Sequence, residues 1–150
     1  MKNSDRVPGL RVSLVRDAGV ESKPLNVSTA QAAAELVRKF IPAGDEREHF
    51  VAVLLDARNS VKGVSVVSIG TLSASLIHPR EVFRAAIVAG AAGIIIAHNH
   101  PSFDTSPSVE DKSTTKRLAE AGRLLGIPLV DHVIIGESGA FFSFRERGLL

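Results

Sequence analysis

Gly93-Ile94-Ile95-Ile96-Ala97-His98-Asn99-His100-Pro101-Ser102 is an apolar run that ends on two histidines. A short apolar run rich in β-branched residues and bounded by turn residues reads as a buried strand. Residues 93–97 therefore form a strand that stops at the histidine pair. Residues two apart on an extended chain point the same way, so His98 and His100 share a face and Asn99 turns away. Pro101 restricts His100 to an extended backbone, which preserves that arrangement.

Working outward, the neighbouring segments alternate in type. Upstream, Glu48 to Leu55 contains Phe50-Val51-Ala52-Val53-Leu54-Leu55, apolar on both faces, as a central covered strand requires. Asp56-Ala57-Arg58-Asn59 has turn chemistry, and residues 61–69 form the next strand, ended by Gly70. Ser28 or Thr29 caps a helix running to about Ile41, and Pro79 opens a second helix. Downstream, residues 108–125 form a helix closed by Gly126 and Pro128. Leu129–Ile135 and residues 140–144 give two last strands, turned at residues 136–139. Strands covered on both faces, mixed with helices, predict an α/β sandwich with helices on each side of the sheet. Ligands in such folds collect beyond the carboxyl ends of strands, where His98 and His100 lie. Residues 1–25 are polar and broken by Gly and Pro. They read as an N-terminal arm with one strand at residues 10–15, leaving residues 26–150 as the domain.

The chain has 150 residues, 45% of them apolar and 23% charged, with a formal net charge of +2. One domain with one substantial core fits that length. Lys and Arg are scattered in small groups such as Lys116-Arg117, without the basic stripe of a nucleic-acid groove. There is no cysteine, so disulfides, thiolate metal sites and cysteine nucleophiles are excluded. The first residues lack the apolar core of a signal peptide. No apolar stretch approaches the ~20 residues needed to span a bilayer. A soluble cytoplasmic protein is the expectation.

A third polar residue converges on the histidines. On the helix after them, Asp111 shares a stripe with Thr115, Leu118, Gly122 and Leu125. The leucines should face the core, so Asp111 faces inward from the helix's first turn. Ser108-x-x-Asp111 is also a helix capping box, which accounts for the pair without any ligand. An inward carboxylate nonetheless needs a cation or several donors. Two imidazoles and a carboxylate fill three positions of a tetrahedral zinc and leave the fourth open, the mark of a catalytic site. Such a site also needs a base to take a proton from water. Glu46, Glu48 and Glu81 are the upstream candidates, and spacing does not choose among them. His132 is read as a packed strand histidine or a residue behind the site; His49 and His78 are read as structural.

The pattern Glu48, His98-x-His100, then ten residues to Asp111, with Pro101, Pro107 and Ser108 inside it, resembles the JAMM/MPN metalloprotease signature. Surrounding words narrow the resemblance to the RadC-like branch of the JAB domains. They are Glu48-His49-Phe50, Leu55-Asp56, Gly70-Thr71-Leu72, His78-Pro79-Arg80-Glu81-Val82-Phe83, His98-Asn99-His100-Pro101-Ser102, Asp131-His132-Val133-Ile134-Ile135-Gly136 and Ser143-Phe144. The resemblance covers about residues 26–148. It implies a three-layer α/β/α sandwich with a mixed sheet, cytidine-deaminase-like, and one Zn2+ held by His98, His100 and Asp111. It further implies that Glu48 is general base and acid, and that Ser108 hydrogen-bonds the oxyanion during amide or isopeptide hydrolysis of a peptide or protein.

Two positions depart from the family pattern. Phe103 stands where the family usually has glycine, a residue free to take positive φ; there it can shape the substrate loop. Thr105 replaces a usual proline. The chain also has no room for the helix-hairpin-helix region that many RadC-like proteins carry, which lowers the expectation of DNA contact. Three functions compete on these grounds: a zinc peptidase, a non-catalytic MPN-like interaction module, and a DNA-repair-associated protein. A deaminase is disfavoured because H-x-E and P-C-x-x-C are missing.

Overall fold

The computed structural model describes residues 9–15, 25–70 and 77–150. The elements are α1 (Ala30–Val37), β1 (Glu48–Leu55), β2 (Val61–Gly70), α2 (Pro79–Ala89), β3 (Gly93–Asn99), α3 (Val109–Leu125), β4 (Leu129–Ile135) and β5 (Phe141–Ser143). The five strands form one sheet in the order β2-β1-β3-β4-β5. Only β3 and β4 are parallel, with α3 as their crossover; the other neighbours are antiparallel.

The apolar runs of β1 and β3 divide by parity. Val51, Val53, Leu55, Ile95 and Ala97 pack with Ala33, Ala34 and Val37 of α1. Phe50, Ala52, Leu54, Ile94 and Ile96 pack with Val82, Phe83 and Ala86 of α2 and Leu118 of α3. The sheet is thus covered on both faces, and this is why the runs Phe50–Leu55 and Ile94–Ala97 of its central strands are apolar at every position. Ile94, Ile95 and Ile96 are each at most 1% exposed, and burying such a side chain stabilises by roughly 1.5–3 kcal/mol. Gly122 lets α3 settle onto the turn leading into β4, because a Cβ there would stand 2.5 Å from the Ile127 carbonyl oxygen.

Three expectations shift. The strand expected at residues 10–15 does not form; Leu10, Val12 and Val15 are 87%, 75% and 90% exposed. Among the described residues no strand pairs with them, and a lone strand leaves its backbone to water. The rest of the arm, residues 1–8 and 16–24, lies outside the described residues, as do Thr71 and Leu72. The body begins at Leu25, whose carbonyl accepts from the Val61 N–H at 2.8 Å. Helix α1 stops at Val37 rather than Ile41; Lys39 and Phe40 continue as tightened turns bonded to Leu36 and Val37. Pro42 disfavours helical backbone at Ile41. Strand β3 runs on through Asn99, so His98 is part of the ladder. Among the described residues, no helix is long and apolar enough to cross a membrane.

Candidate metal centre

His98 sits in β3 opposite Phe50 of β1 and beside Ile134 of β4. Its parity places it on the α2/α3 face, where it is fully buried. His100 lies just past the strand end. Its Nδ1 stands 2.7 Å from the Asp104 carbonyl oxygen. A carbonyl only accepts, so Nδ1 carries the hydrogen and Nε2 is left facing the cluster.

Asp111 arrives from α3 and performs two tasks at once. Ser108 is the N-cap: its Oγ accepts from the Asp111 N–H at 3.0 Å, and its N–H donates to Asp111 Oδ2 at 2.8 Å. That is the capping box read from the sequence. The carboxylate also reaches the histidines, with Oδ1 3.1 Å from His98 Nε2 and Oδ2 3.0 Å from His100 Nε2. The two histidine Nε2 atoms are 3.0 Å apart. Oδ2 closes the cap and meets His100, while Oδ1 takes no part in the cap and faces His98.

His98, His100 and Asp111 together could hold a metal ion. The donor set fits one. Ligand atoms about 2.0–2.1 Å from a tetrahedral zinc stand roughly 3.3 Å from each other, close to the observed spacings. Two imidazoles and a carboxylate suit zinc among the first-row metals. Without a cation, a proton must relieve the crowding of acceptors. Burial alone would raise the Asp111 carboxyl, but hydrogen bonding to His100 and His98 overrides it and holds the group well below the usual carboxylate range. The same contact with Asp111 raises His100. Burial lowers His98. The cluster is therefore built for positive charge.

Glu48 heads β1, on the same face as Phe50 and half-buried. Because β1 is antiparallel to β3, moving back from Phe50 to Glu48 moves forward from His98 toward His100. Burial pushes the Glu48 carboxyl up to about 7, with His100 opposing that rise and Asp111 adding to it. The two other carboxylates considered lie elsewhere in character: Glu46 is exposed, and Glu81 pairs with Arg84 at 2.5 Å on the surface of α2. Asn99 faces away from the histidines, as its parity demands. Its Oδ1 accepts from the His49 N–H at 2.8 Å and its Nδ2 donates to the Arg47 carbonyl at 2.9 Å. It thereby holds the backbone on both sides of Glu48.

Phe103 has φ 60°, the left-handed conformation for which glycine is the default. It closes a turn by donating its N–H to the His100 carbonyl at 2.9 Å. It lines a cleft of about 480 Å³ with Arg38, Ile41, Asn99 and Ile135; none of His98, His100 or Asp111 lines that cleft. Thr105 packs against Gly136, where a Cβ would stand 2.6 Å from its methyl group.

Sequence reasoning underrated His132 and did not single out Thr115. His132 is fully buried, with Nε2 2.8 Å from His98 Nδ1. Its Nδ1 is 2.6 Å from Thr115 Oγ1, which donates to the Asp111 carbonyl at 2.6 Å. Phe50 stacks on His98, with centroids 5.8 Å apart, and Phe144 stacks on His132 at 4.6 Å. Burial, then the neighbouring His98, keeps His132 well below its ordinary value. A signal existed: Val133 and Ile135 pack toward α1, so alternation turns His132 to the His98 face. His49 is buried and its Nε2 lies 2.9 Å from Asp45 Oδ2; His78 is the exposed N-cap of α2.

These features define a class: a mixed α/β domain whose strand-end histidines and helix-cap aspartate could hold a metal ion beside a glutamate on the adjacent strand. Residues 27–149 match the family model of the RadC-like JAB domain, and the chain belongs to that family. It is 49% identical over 140 residues to a UPF0758 protein of Rubrobacter xylanophilus, covering 93% of this chain and 59% of the relative. It is 50% identical over 122 residues to a UPF0758 protein of Shouchella clausii, covering 81% and 52%. A UPF0758 protein of Symbiobacterium thermophilum is 55% identical over 103 residues, covering 69% and 44%. The chain thus spans about half the length of the relatives it matches.

Proposed function

We propose that this domain is a zinc-dependent metallohydrolase of the JAMM type, on a cytidine-deaminase-like α/β/α scaffold, that cleaves an amide or isopeptide bond in a peptide or protein. The observation that carries the reading is the clustering of His98 Nε2, His100 Nε2 and the Asp111 carboxylate, with Glu48 on the same face. When bound, zinc supplies Lewis-acid polarisation of the scissile carbonyl and acidifies water toward a pKa of ~7. Glu48 takes the proton of the attacking water and returns it to the leaving amine. Its half-buried position favours both roles, because a carboxyl poised near neutrality can accept and release a proton. Ser108 accepts the Asp111 N–H with a lone pair, so its O–H hydrogen remains to stabilise the developing oxyanion. Asn99 positions Glu48 through the backbone of Arg47 and His49.

The competing reading, a non-catalytic module, arose from Phe103. Phe103 lines the cleft that the three cluster residues do not line, which gives no support to a blocked metal centre. The test is zinc stoichiometry of the purified protein, then hydrolysis of a peptide panel by wild type and Glu48→Gln. The expected result is one zinc per chain and turnover lost in the variant. A wild type that binds no zinc overturns the proposal; zinc binding with identical wild-type and Glu48→Gln behaviour favours the module.

A further inference from the structure

The contacts behind His98 contain one hydroxyl proton and two short distances that each need a proton. Thr115 Oγ1 is 2.6 Å from the Asp111 carbonyl oxygen and 2.6 Å from His132 Nδ1. The carbonyl has no hydrogen to give, so the Thr115 hydroxyl must donate to it. The hydroxyl can then only accept from His132, which places a hydrogen on His132 Nδ1. A second hydrogen on Nε2 would make a cation, fully buried between Phe50 and Phe144 and hydrogen-bonded to no carboxylate, which burial opposes. His132 Nε2 is therefore an acceptor. The hydrogen in its 2.8 Å contact with His98 belongs to His98 Nδ1. That leaves His98 Nε2 as the nitrogen facing Asp111 and His100, the one whose lone pair a cation would take in place of a proton.

We infer that Thr115 and His132 are positioning residues that form a one-way relay, from His98 through His132 and Thr115 to the Asp111 carbonyl, fixing His98 in the tautomer that can bind a metal. The inference rests on the reading of the cluster as a metal centre. The relay starts at one ligand and ends on the backbone of another, so α3 sets both the place of the Asp111 carboxylate and the tautomer of His98. A metal-bound histidine commonly donates its second N–H to a carboxylate or carbonyl. Here a second histidine takes that place and passes the polarity on.

The experiment is a two-bond 1H–15N correlation spectrum of the histidine rings in 15N-labelled protein, with and without zinc, beside zinc titrations by competition with a chelator. Expected in the wild type is His132 with its hydrogen on Nδ1 in both states. Thr115→Val keeps the shape and removes the acceptor. It should move the His132 hydrogen to Nε2 and weaken zinc binding roughly 10- to 100-fold, the range for partners behind a metal ligand. Thr115→Ser should restore both readouts. His132 carrying its hydrogen on Nε2 in the wild type overturns the relay, as does a Thr115→Val protein with unchanged zinc affinity. A wild type that binds no zinc but shows the Nδ1 hydrogen upholds the relay and overturns the metal-centre reading, so the two failures are distinguishable.

Discussion

The carboxyl end of β3 has two faces of opposite character, one residue apart. On the α3 face, His98 is enclosed by Phe50, His132 and Asp111, and its ring nitrogens are within 3.1 Å of polar partners. On the α1 face, Asn99 borders an open cleft lined by Arg38, Ile41 and Phe103. The first face is ordered by short polar contacts and ring stacking, the kind of support a preorganised site needs. The second face bears unfilled volume and a strained loop residue. The contrast teaches that the candidate metal donors and the open cleft lie on opposite faces of one strand end, so a cleft alone would have pointed away from the cluster.

The most severe break of this comparison is removal of a ligand. His98→Ala or Asp111→Asn should weaken zinc binding by more than the roughly 100-fold upper range for residues behind the metal, read by chelator competition. Asp111→Asn keeps side-chain size near the cap, so retained helicity by circular dichroism would separate metal loss from unfolding.

Glu48→Gln should lower turnover about 10²- to 10⁴-fold, the usual contribution of a general base, while zinc stoichiometry stays at the wild-type value. Its linkage has a definite sign. The folded pKa lies near 7 against an ordinary 4.5, so in the metal-free protein the unfolded chain loses this proton first. Wild-type stability should fall as pH rises from 4.5 to 7. Glu48→Gln should flatten that slope in melts across this range. A cation beside Glu48 favours its charged form, so the acid limb of turnover in zinc-loaded protein should lie below the metal-free value.

Asn99→Ala tests whether the cleft face serves the metal face. The buried His49 N–H loses its partner, at about 1–3 kcal/mol for a buried group left unsatisfied, the part-buried bond to the Arg47 carbonyl is lost as well, and the melting temperature should drop accordingly. Because Arg47 and His49 flank Glu48, turnover should fall further than zinc affinity does. Equal retention of turnover and affinity would remove Asn99 from the account of the site.

Phe103→Gly should have the smallest effect. It relieves a left-handed φ that costs a non-glycine residue about 1–2 kcal/mol, and it forfeits packing in the cleft. Zinc affinity should stay at the wild-type level in the same titration. A large loss would mean that the two faces are coupled through the His100–Phe103 turn.

Much of this was legible from residue order. The His98/His100 face follows from a period of two, and the inward Asp111 from a period near four with Leu118. The capping box and the ligand reading competed on paper; in the fold they coexist, because a carboxylate has two oxygens. Other features were not legible. Residues 10–15 look like a strand locally, but a strand needs a neighbour. Spacing does not choose among Glu46, Glu48 and Glu81, and only the family resemblance points to Glu48; strand pairing puts Glu48 on the histidine face, and Arg84 accounts for Glu81.

By itself the sequence determined the alternation of elements, the doubly covered central strands, the candidate metal donors and their common face. These are local periodicities, set by backbone geometry within one segment. Only the tertiary structure decided that Glu48 shares the histidine face, that Asn99 holds the backbone on either side of it, that Phe103 belongs to the opposite cleft, and that His132 and Thr115 stand behind His98. Those relations join β1, β3, α3 and β4. They depend on sheet order and register, which pair residues by position in space rather than by distance along the chain.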